Sequence, residues 1–233
     1  VVNTLFGATV TTAGLLPDAV YQQHFDFQGR TLAGQKEPQP RWKRCITATE
    51  QAMGEAIGQL YVQERFAGNS KGLALDMIHG IADAFAASLP ELAWKIGYPE
   101  EWRDYSKLTI TRGNHFANAV AARGFEASRQ LAQVGKPVDR KEWGMNAQTV
   151  NASYNPLQNA FTYPAGILQP PFFHKDFPVA MNLGGMGFVI GHELTHGFDD
   201  QGSKFDSLGS MTDWWTPASV KGFEERTACI DQQ

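Results

Sequence analysis

Apolar residues recur at spacings of three and four along residues 48–66, 73–89 and 112–134, with charges between them and Gly, Pro or Ser at their ends. A helix gathers such positions on one face, so these stretches are expected to be packing helices. Residues 150–154 and 159–168 read instead as extended, with Tyr154-Asn155-Pro156 opening the turn between them, and are expected to form a small sheet. A further apolar run, Leu183-Gly184-Gly185-Met186-Gly187-Phe188-Val189-Ile190-Gly191, has glycines that permit close helix packing and Asn182 as a candidate cap. That helix is expected at about 184–198. Residues 34–40, rich in Pro and Gly, suit a surface loop or linker.

The last helix carries the chemistry, in Gly191-His192-Glu193-Leu194-Thr195-His196-Gly197. Positions i and i+4 on a helix differ by only about 40° in direction, so His192 and His196 project together as two ligands of a zinc site. Glu193 lies beside them, placed to take a proton from a zinc-activated water and pass it to a leaving amine. Burying two His and a Glu unpaired is expensive, and a metal with its supporting partners removes that cost. Downstream, Phe198-Asp199-Asp200-Gln201-Gly202 reads two ways. Asp199 or Asp200 orients a ligand imidazole, or the segment is simply a helix-ending turn.

Several blocks in fixed order resemble the neprilysin and endothelin-converting-enzyme family of zinc metallopeptidases, especially its bacterial oligopeptidase members. They are Val150-Asn151-Ala152-Ser153-Tyr154-Asn155-Pro156, Tyr163-Pro164-Ala165-Gly166-Ile167-Leu168-Gln169-Pro170-Pro171-Phe172-Phe173, residues 189–202, and Asp213-Trp214-Trp215-Thr216. A weaker likeness runs upstream through Gly29-Arg30-Thr31-Leu32, Pro40-Arg41-Trp42-Lys43-Arg44-Cys45 and Leu60-Tyr61-Val62 to Lys95-Ile96-Gly97-Tyr98-Pro99. The resemblance implies a mainly α fold with a small β-sheet: a thermolysin-like (zincin) catalytic domain with helical segments of a second domain. Residues 1–40 are then expected to be a helical segment and linker, and 41–233 an incomplete catalytic domain.

The resemblance also implies roles. His192 and His196 look like ligands of one Zn2+ per complete site, and Glu193 like the general base. Asn151 and Ala152 match edge-strand residues that hydrogen-bond a peptide backbone. Phe172 and Val189 match the pocket for the residue after the scissile bond, and both are apolar, so a hydrophobic residue is expected there. The family's third ligand is a Glu in a downstream Glu-Asn-x-x-Asp helix that the chain does not reach before Gln233. The chain is therefore expected to be incomplete at both ends, starting as it does with Val1-Val2, and internally at the abrupt join 92–97. The implied activity is a zinc metalloendopeptidase for short peptides, completed by the missing parts of the same protein. The alternative is a catalytically incomplete peptide-binding fragment.

Composition narrows this further. Twenty basic against 24 acidic side chains, a formal net charge of -4, argue against nucleic acid as the main partner. Arg41-Trp42-Lys43-Arg44 is the one compact basic cluster, expected to be a solvated or salt-bridged surface turn rather than a binding patch. No apolar stretch approaches the roughly 18 residues of a transmembrane helix. Cys45 and Cys229 either pair together, stay free, or pair beyond this chain. The resemblance implies the third arrangement and an extracytoplasmic location. His24, His79, His115 and His174 stand isolated and are expected to carry no chemistry. Gly184-Gly185-Met186-Gly187 lacks the spacing of a phosphate loop, and Trp214-Trp215 reads as packing or as an aromatic substrate wall.

Overall fold

The structure is a computed structural model that describes residues 16–66, 68–85 and 92–231, without the side chains of 84, 85 and 229–231. It is mainly helical with one small sheet, in two compact units that interleave along the sequence: 1–57 with 103–136, and 58–102 with 137–233.

The first unit begins with helix α1 (Asp18–His24) after Pro17, followed by a π-helical stretch, Phe25–Leu32. A side chain at Gly29 would stand 2.5 Å from the Phe25 ring, so only glycine fits this wide turn. Helix α2 (Arg41–Arg65) starts at the basic cluster, which forms its exposed first turn with Arg41 3.8 Å from Asp18, and kinks at Met53. Arg44 of this cluster lies over the Tyr21 ring at 3.7 Å. Arg103 ties the unit together. Its main-chain N–H donates to Glu55 at 2.7 Å, and its guanidinium meets Glu55 at 2.9 Å and Glu126 at 3.4 Å. Glu126 belongs to the other long helix of this unit.

The second unit holds the end of α2 and α3 (Ser70–Phe85), then β1 (Ala93–Gly97). The Glu126 helix of the first unit is α4 (His115–Leu131). The chain then returns to the second unit for β2 (Ser153–Asn155), β3 (Ala160–Pro164), α5 (Val179–His196), a 3-10 turn (Gly202–Lys204) and α6 (Pro217–Asp231). The three strands are ordered β1-β3-β2. β1 runs parallel to β3 with Ala93 opposite Ala160, and β2 antiparallel with Ser153 opposite Thr162. β1 lies within residues 92–97, the segment expected to be an abrupt join. Every residue of the central strand β3 is buried, as a strand covered on both faces requires.

The β2–β3 turn is built by Asn155, whose Oδ1 accepts from the N–H groups of Leu157 and Gln158 at 3.0 and 3.3 Å. Asn159 completes it in the left-handed region at φ 43°. Lys95, buried in β1, donates to Gln158 Oε1 at 2.6 Å and to the Glu142 carbonyl at 2.5 Å. Burial lowers its pKa against the pull of Asp139 and Glu142.

Helix α5 lays Met186, Ile190, Glu193 and Leu194 against a core that includes Ile78 of α3, Ile96 of β1, and Phe161 and Tyr163 of β3. Its other face is open, with Val179 and Phe188 more than 70% exposed, so the helix is half-buried rather than enclosed. The glycines divide accordingly. A Cβ on Gly185 would lie 2.5 Å from the Phe172 carbonyl oxygen, whereas Gly184 and Gly191 face nothing within 4 Å. Asn182 is not the cap, because the helix already starts at Val179 after Pro178. Instead its amide clamps the preceding loop, accepting from His174 N–H and donating to His174 C=O, both at 3.0 Å. Cys45 is an exposed free thiol, and the Cys229 side chain lies outside the described residues. Trp214 meets Trp215 edge-on at 5.8 Å, and Trp215 packs on Phe223 at 5.6 Å, which favours packing within this unit.

Candidate active site

The motif occupies the last turns of α5, and its i, i+4 spacing has the expected effect. His192 Nε2 and His196 Nε2 stand 3.1 Å apart, their rings 4.7 Å between centroids at 88°. Two imidazoles bound at about 2.0–2.1 Å to one tetrahedral zinc have nitrogens about 3.3–3.4 Å apart, so this pair fits a zinc ion with little movement. Among the described residues no set of three His, Cys, Asp or Glu converges on one point, so the fit extends to two donors.

Asp199 fixes one of them. Its Oδ2 lies 2.7 Å from His196 Nδ1, and a carboxylate only accepts, so Nδ1 carries the proton and Nε2 presents its lone pair. The other oxygen accepts from the N–H groups of Gln201 at 2.9 Å and Gly202 at 2.7 Å. Burial opposes ionisation here, but the hydrogen bonds from His196, Gly202 and Gln201 outweigh it and lower the Asp199 pKa. Asp199 thus serves both readings of its segment, as imidazole partner and as turn former. Asp200 takes only the Gln201 side chain at 2.7 Å and does not bond either ring. Gly202 is required by space: a Cβ there would strike the His196 carbonyl oxygen.

Glu193, 5% exposed, sits on the inner side of the same turn. Burial raises its pKa, against the opposing pull of His196, His192 and the Tyr154 N–H. That N–H comes from β2, so the edge strand and the carboxylate are joined through the main chain. A depression of about 390 Å³ is lined by Asn151, Ala152 and Tyr154 on one side and His192, Glu193 and His196 on the other. Asn151 and Ala152 precede the first paired residue of β2, Ser153. Phe172 and Val189 are not in this lining. Both are partly buried against the core cluster. Sequence reasoning did not single out Tyr154, whose role comes from its main chain and leaves no mark in side-chain chemistry.

Two segments of the chain match peptidase family M13, residues 151–233 and residues 2–95. An endothelin-converting enzyme homolog of Locusta migratoria is 36% identical over 256 residues, covering 99% of this chain and 35% of the relative. Human neprilysin is 36% identical over 239 residues, covering 91% of this chain and 32% of its own. Among solved structures, the zinc metalloprotease ZMP1 of Mycobacterium tuberculosis in complex with inhibitor superposes with a TM-score of 0.85 at 40% identity, covering 94% of this chain and 36% of that one. PEPO of Lactobacillus rhamnosis gives 0.82 at 32% identity, covering 94% and 38%. The chain spans about a third of the length of these relatives. With two family segments spanning most of its length, and relatives of known structure that share its fold, the chain belongs to peptidase family M13.

Proposed function

We propose that this chain carries part of the active site of a zinc metalloendopeptidase that cleaves short peptides. The observation that carries the reading is the convergence of His192 and His196 Nε2 at 3.1 Å beside a buried Glu193, at the edge of a short strand. His192 and His196 would hold the zinc, with the remaining ligand supplied by the rest of the protein. Zinc, when bound, supplies a Lewis acid that polarises the scissile carbonyl and eases deprotonation of water. Asp199 keeps His196 in the tautomer that presents a lone pair. Glu193 takes the proton of the attacking water and returns it to the leaving amine.

The substrate is held as an added strand. Among the described residues β2 pairs only with β3, and its other edge, apart from the Tyr154 N–H that Glu193 takes, leaves main-chain groups for an extended peptide. Asn151 and Ala152, at the mouth of the same depression, add contacts to the peptide backbone. Because such contacts read no side chains, selectivity falls to Phe172 and Val189, which favour a hydrophobic residue after the scissile bond. Asp200 stays outside this machinery. An extracytoplasmic location belongs to the same proposal, and a relative named as a membrane metallo-endopeptidase is in keeping with a membrane-anchored form of it. No helix of the described residues is long and apolar enough to cross a membrane.

A second reading is a peptide-binding fragment without turnover, favoured by the two metal donors found among the described residues. Glu193→Gln separates the two in the full-length protein. Peptide hydrolysis should vanish while zinc and peptide binding persist. Turnover at the parent rate in that variant would remove Glu193 as the base.

A further inference from the structure

Asn159 is 6% exposed, and each of its four polar groups bonds a different segment. Its main-chain N–H donates to the Pro156 carbonyl at 3.2 Å, and its C=O accepts from the Ala93 N–H of β1 at 3.2 Å. In the side chain, Oδ1 accepts from the Tyr154 hydroxyl at 3.1 Å and Nδ2 donates to the Ser207 carbonyl at 3.1 Å. Arg140 donates to the same carbonyl at 2.8 Å. The turn explains the backbone at φ 43°, yet glycine adopts that conformation more readily. What glycine lacks is the amide. The side chain is therefore accounted for by its two bonds, and a buried amide satisfied at both ends holds its partners in one arrangement.

Tyr154 connects this amide to the active site. It is the middle residue of β2, whose three-residue ladder is a weak hold on a strand by itself. Its ring meets Phe161 of β3 at 4.7 Å between centroids. A Cβ on Gly197 would lie 3.7 Å from Tyr154 Cζ, so the ring also rests beside the main chain that follows His196. Tyr154 lines the same depression as His192, Glu193 and His196. Its side chain thus runs from the edge strand to the end of α5, and Asn159 pins the far end.

We infer that Asn159 is a positioning residue: by gripping the Tyr154 hydroxyl it fixes the spacing between the main chain of β2 and the His192–His196 pair. This rests on the reading of β2 as the edge that holds the peptide and of the histidines as zinc ligands. A peptide laid on that edge brings its scissile carbonyl between Glu193 and the histidines at one spacing only, and a misplacement of about 1 Å costs about 100-fold in rate. Asn159 acts through Tyr154 and touches no substrate.

The test is made in the full-length protein with Tyr154→Phe, Asn159→Gly and their combination, read by peptide hydrolysis and by zinc affinity in competition with a chelator. Tyr154→Phe removes one oxygen and keeps the ring, while Asn159→Gly keeps the left-handed turn and removes the grip. Each should lower kcat/KM about 10-fold, part of the loss for a full ångström, with zinc affinity within about twofold of the parent. In the Asn159→Gly background, Tyr154→Phe should cost nothing further, because the hydroxyl has no grip left to lose. A hydroxyl that itself serves the reaction loses the same factor in both backgrounds, and a general loosening of the fold lowers zinc affinity together with kcat/KM. Either outcome overturns the inference, as does a parental kcat/KM for Tyr154→Phe, which decides the matter even where Asn159→Gly does not fold. Failure of the underlying reading is distinct, since it shows as turnover surviving in Glu193→Gln.

Discussion

Replacing Asp199 with Asn is nearly neutral in shape and tests the hydrogen bond that sets His196. In the parent, one carboxylate oxygen faces His196 Nδ1 at 2.7 Å while the other accepts two main-chain N–H groups at 2.9 and 2.7 Å. An amide has one oxygen, so it serves only one of these ends. If the oxygen keeps the two main-chain donors, the NH2 group faces Nδ1 and drives the proton to Nε2, removing the lone pair a metal needs. If the amide turns over, two N–H groups lose their acceptor and the turn after α5 loosens. The charge-assisted hydrogen bond at stake is worth about 1.5–3 kcal/mol. At about 1.4 kcal/mol per decade this is about 10–100-fold in affinity. The His196 side chain is 45% exposed, so solvent screening favours the lower end, about tenfold. Zinc affinity measured by competition with a chromogenic chelator gives the answer directly. An Asp199→Asn variant that holds zinc within about twofold of the parent would refute the idea that this bond selects the tautomer.

The glycines of α5 should respond with opposite signs. Gly185→Ala gains about 1 kcal/mol of helix propensity but forces a Cβ to 2.5 Å from the Phe172 carbonyl oxygen, an overpacking cost of about 1–3 kcal/mol, so Tm should fall. Gly184→Ala meets nothing within 4 Å and should raise Tm, and equal signs for the two would defeat the packing argument. Glu126 has its pKa lowered chiefly by the Arg129 hydrogen bond, with Gln130 and the charges of Arg129 and Arg103 assisting against burial. A depressed carboxylate contributes stability above its unfolded value and loses it as pH falls through the lower folded value. Unfolding measured from pH 7 downward should therefore show a steeper loss below pH 4.5 in the parent than in Glu126→Gln, and parallel curves would contradict it. For specificity, Val189→Asp should abolish the preference for a hydrophobic residue after the scissile bond. A peptide-library cleavage pattern identical to the parent's would place that pocket elsewhere.

The zinc helix was legible because two spacings coincide in it. The i, i+4 histidines and the apolar face ending at Ile190 and Leu194 follow the same helical period, so residue type and geometry agree. Its start was not legible. Asn182 has the chemistry of a cap, but Pro178 fixes an earlier beginning, and the amide found loop partners instead. β1 was missed for a different reason. Ala93-Trp94-Lys95-Ile96-Gly97 is only five residues long and its burial does not follow its polarity, because its lysine is buried with a carbonyl and an amide oxygen as partners rather than turned to solvent. The π-helical turn around Gly29 follows from a local approach to the Phe25 ring, and neither it nor the Met53 kink leaves a periodic signal. The carboxylates after the motif were recognised as a pair, but only three-dimensional placement separates Asp199, which meets a ring, from Asp200, which does not.

The parallel pairing of Ala93 with Ala160 also sets a timetable for synthesis. A ribosome working at about 5–20 residues per second releases β1 roughly 3–13 s before the central strand that will hold it. During that interval the chain emits α4, which belongs to the other unit, so the newborn strand carries Trp94 and Ile96 with no sheet to join. Slow, distant pairing of this kind leaves an apolar edge open to neighbours on the same polysome. Factors that shield nascent strands should therefore raise the yield of this protein more than they raise the yield of an all-helical chain of similar length.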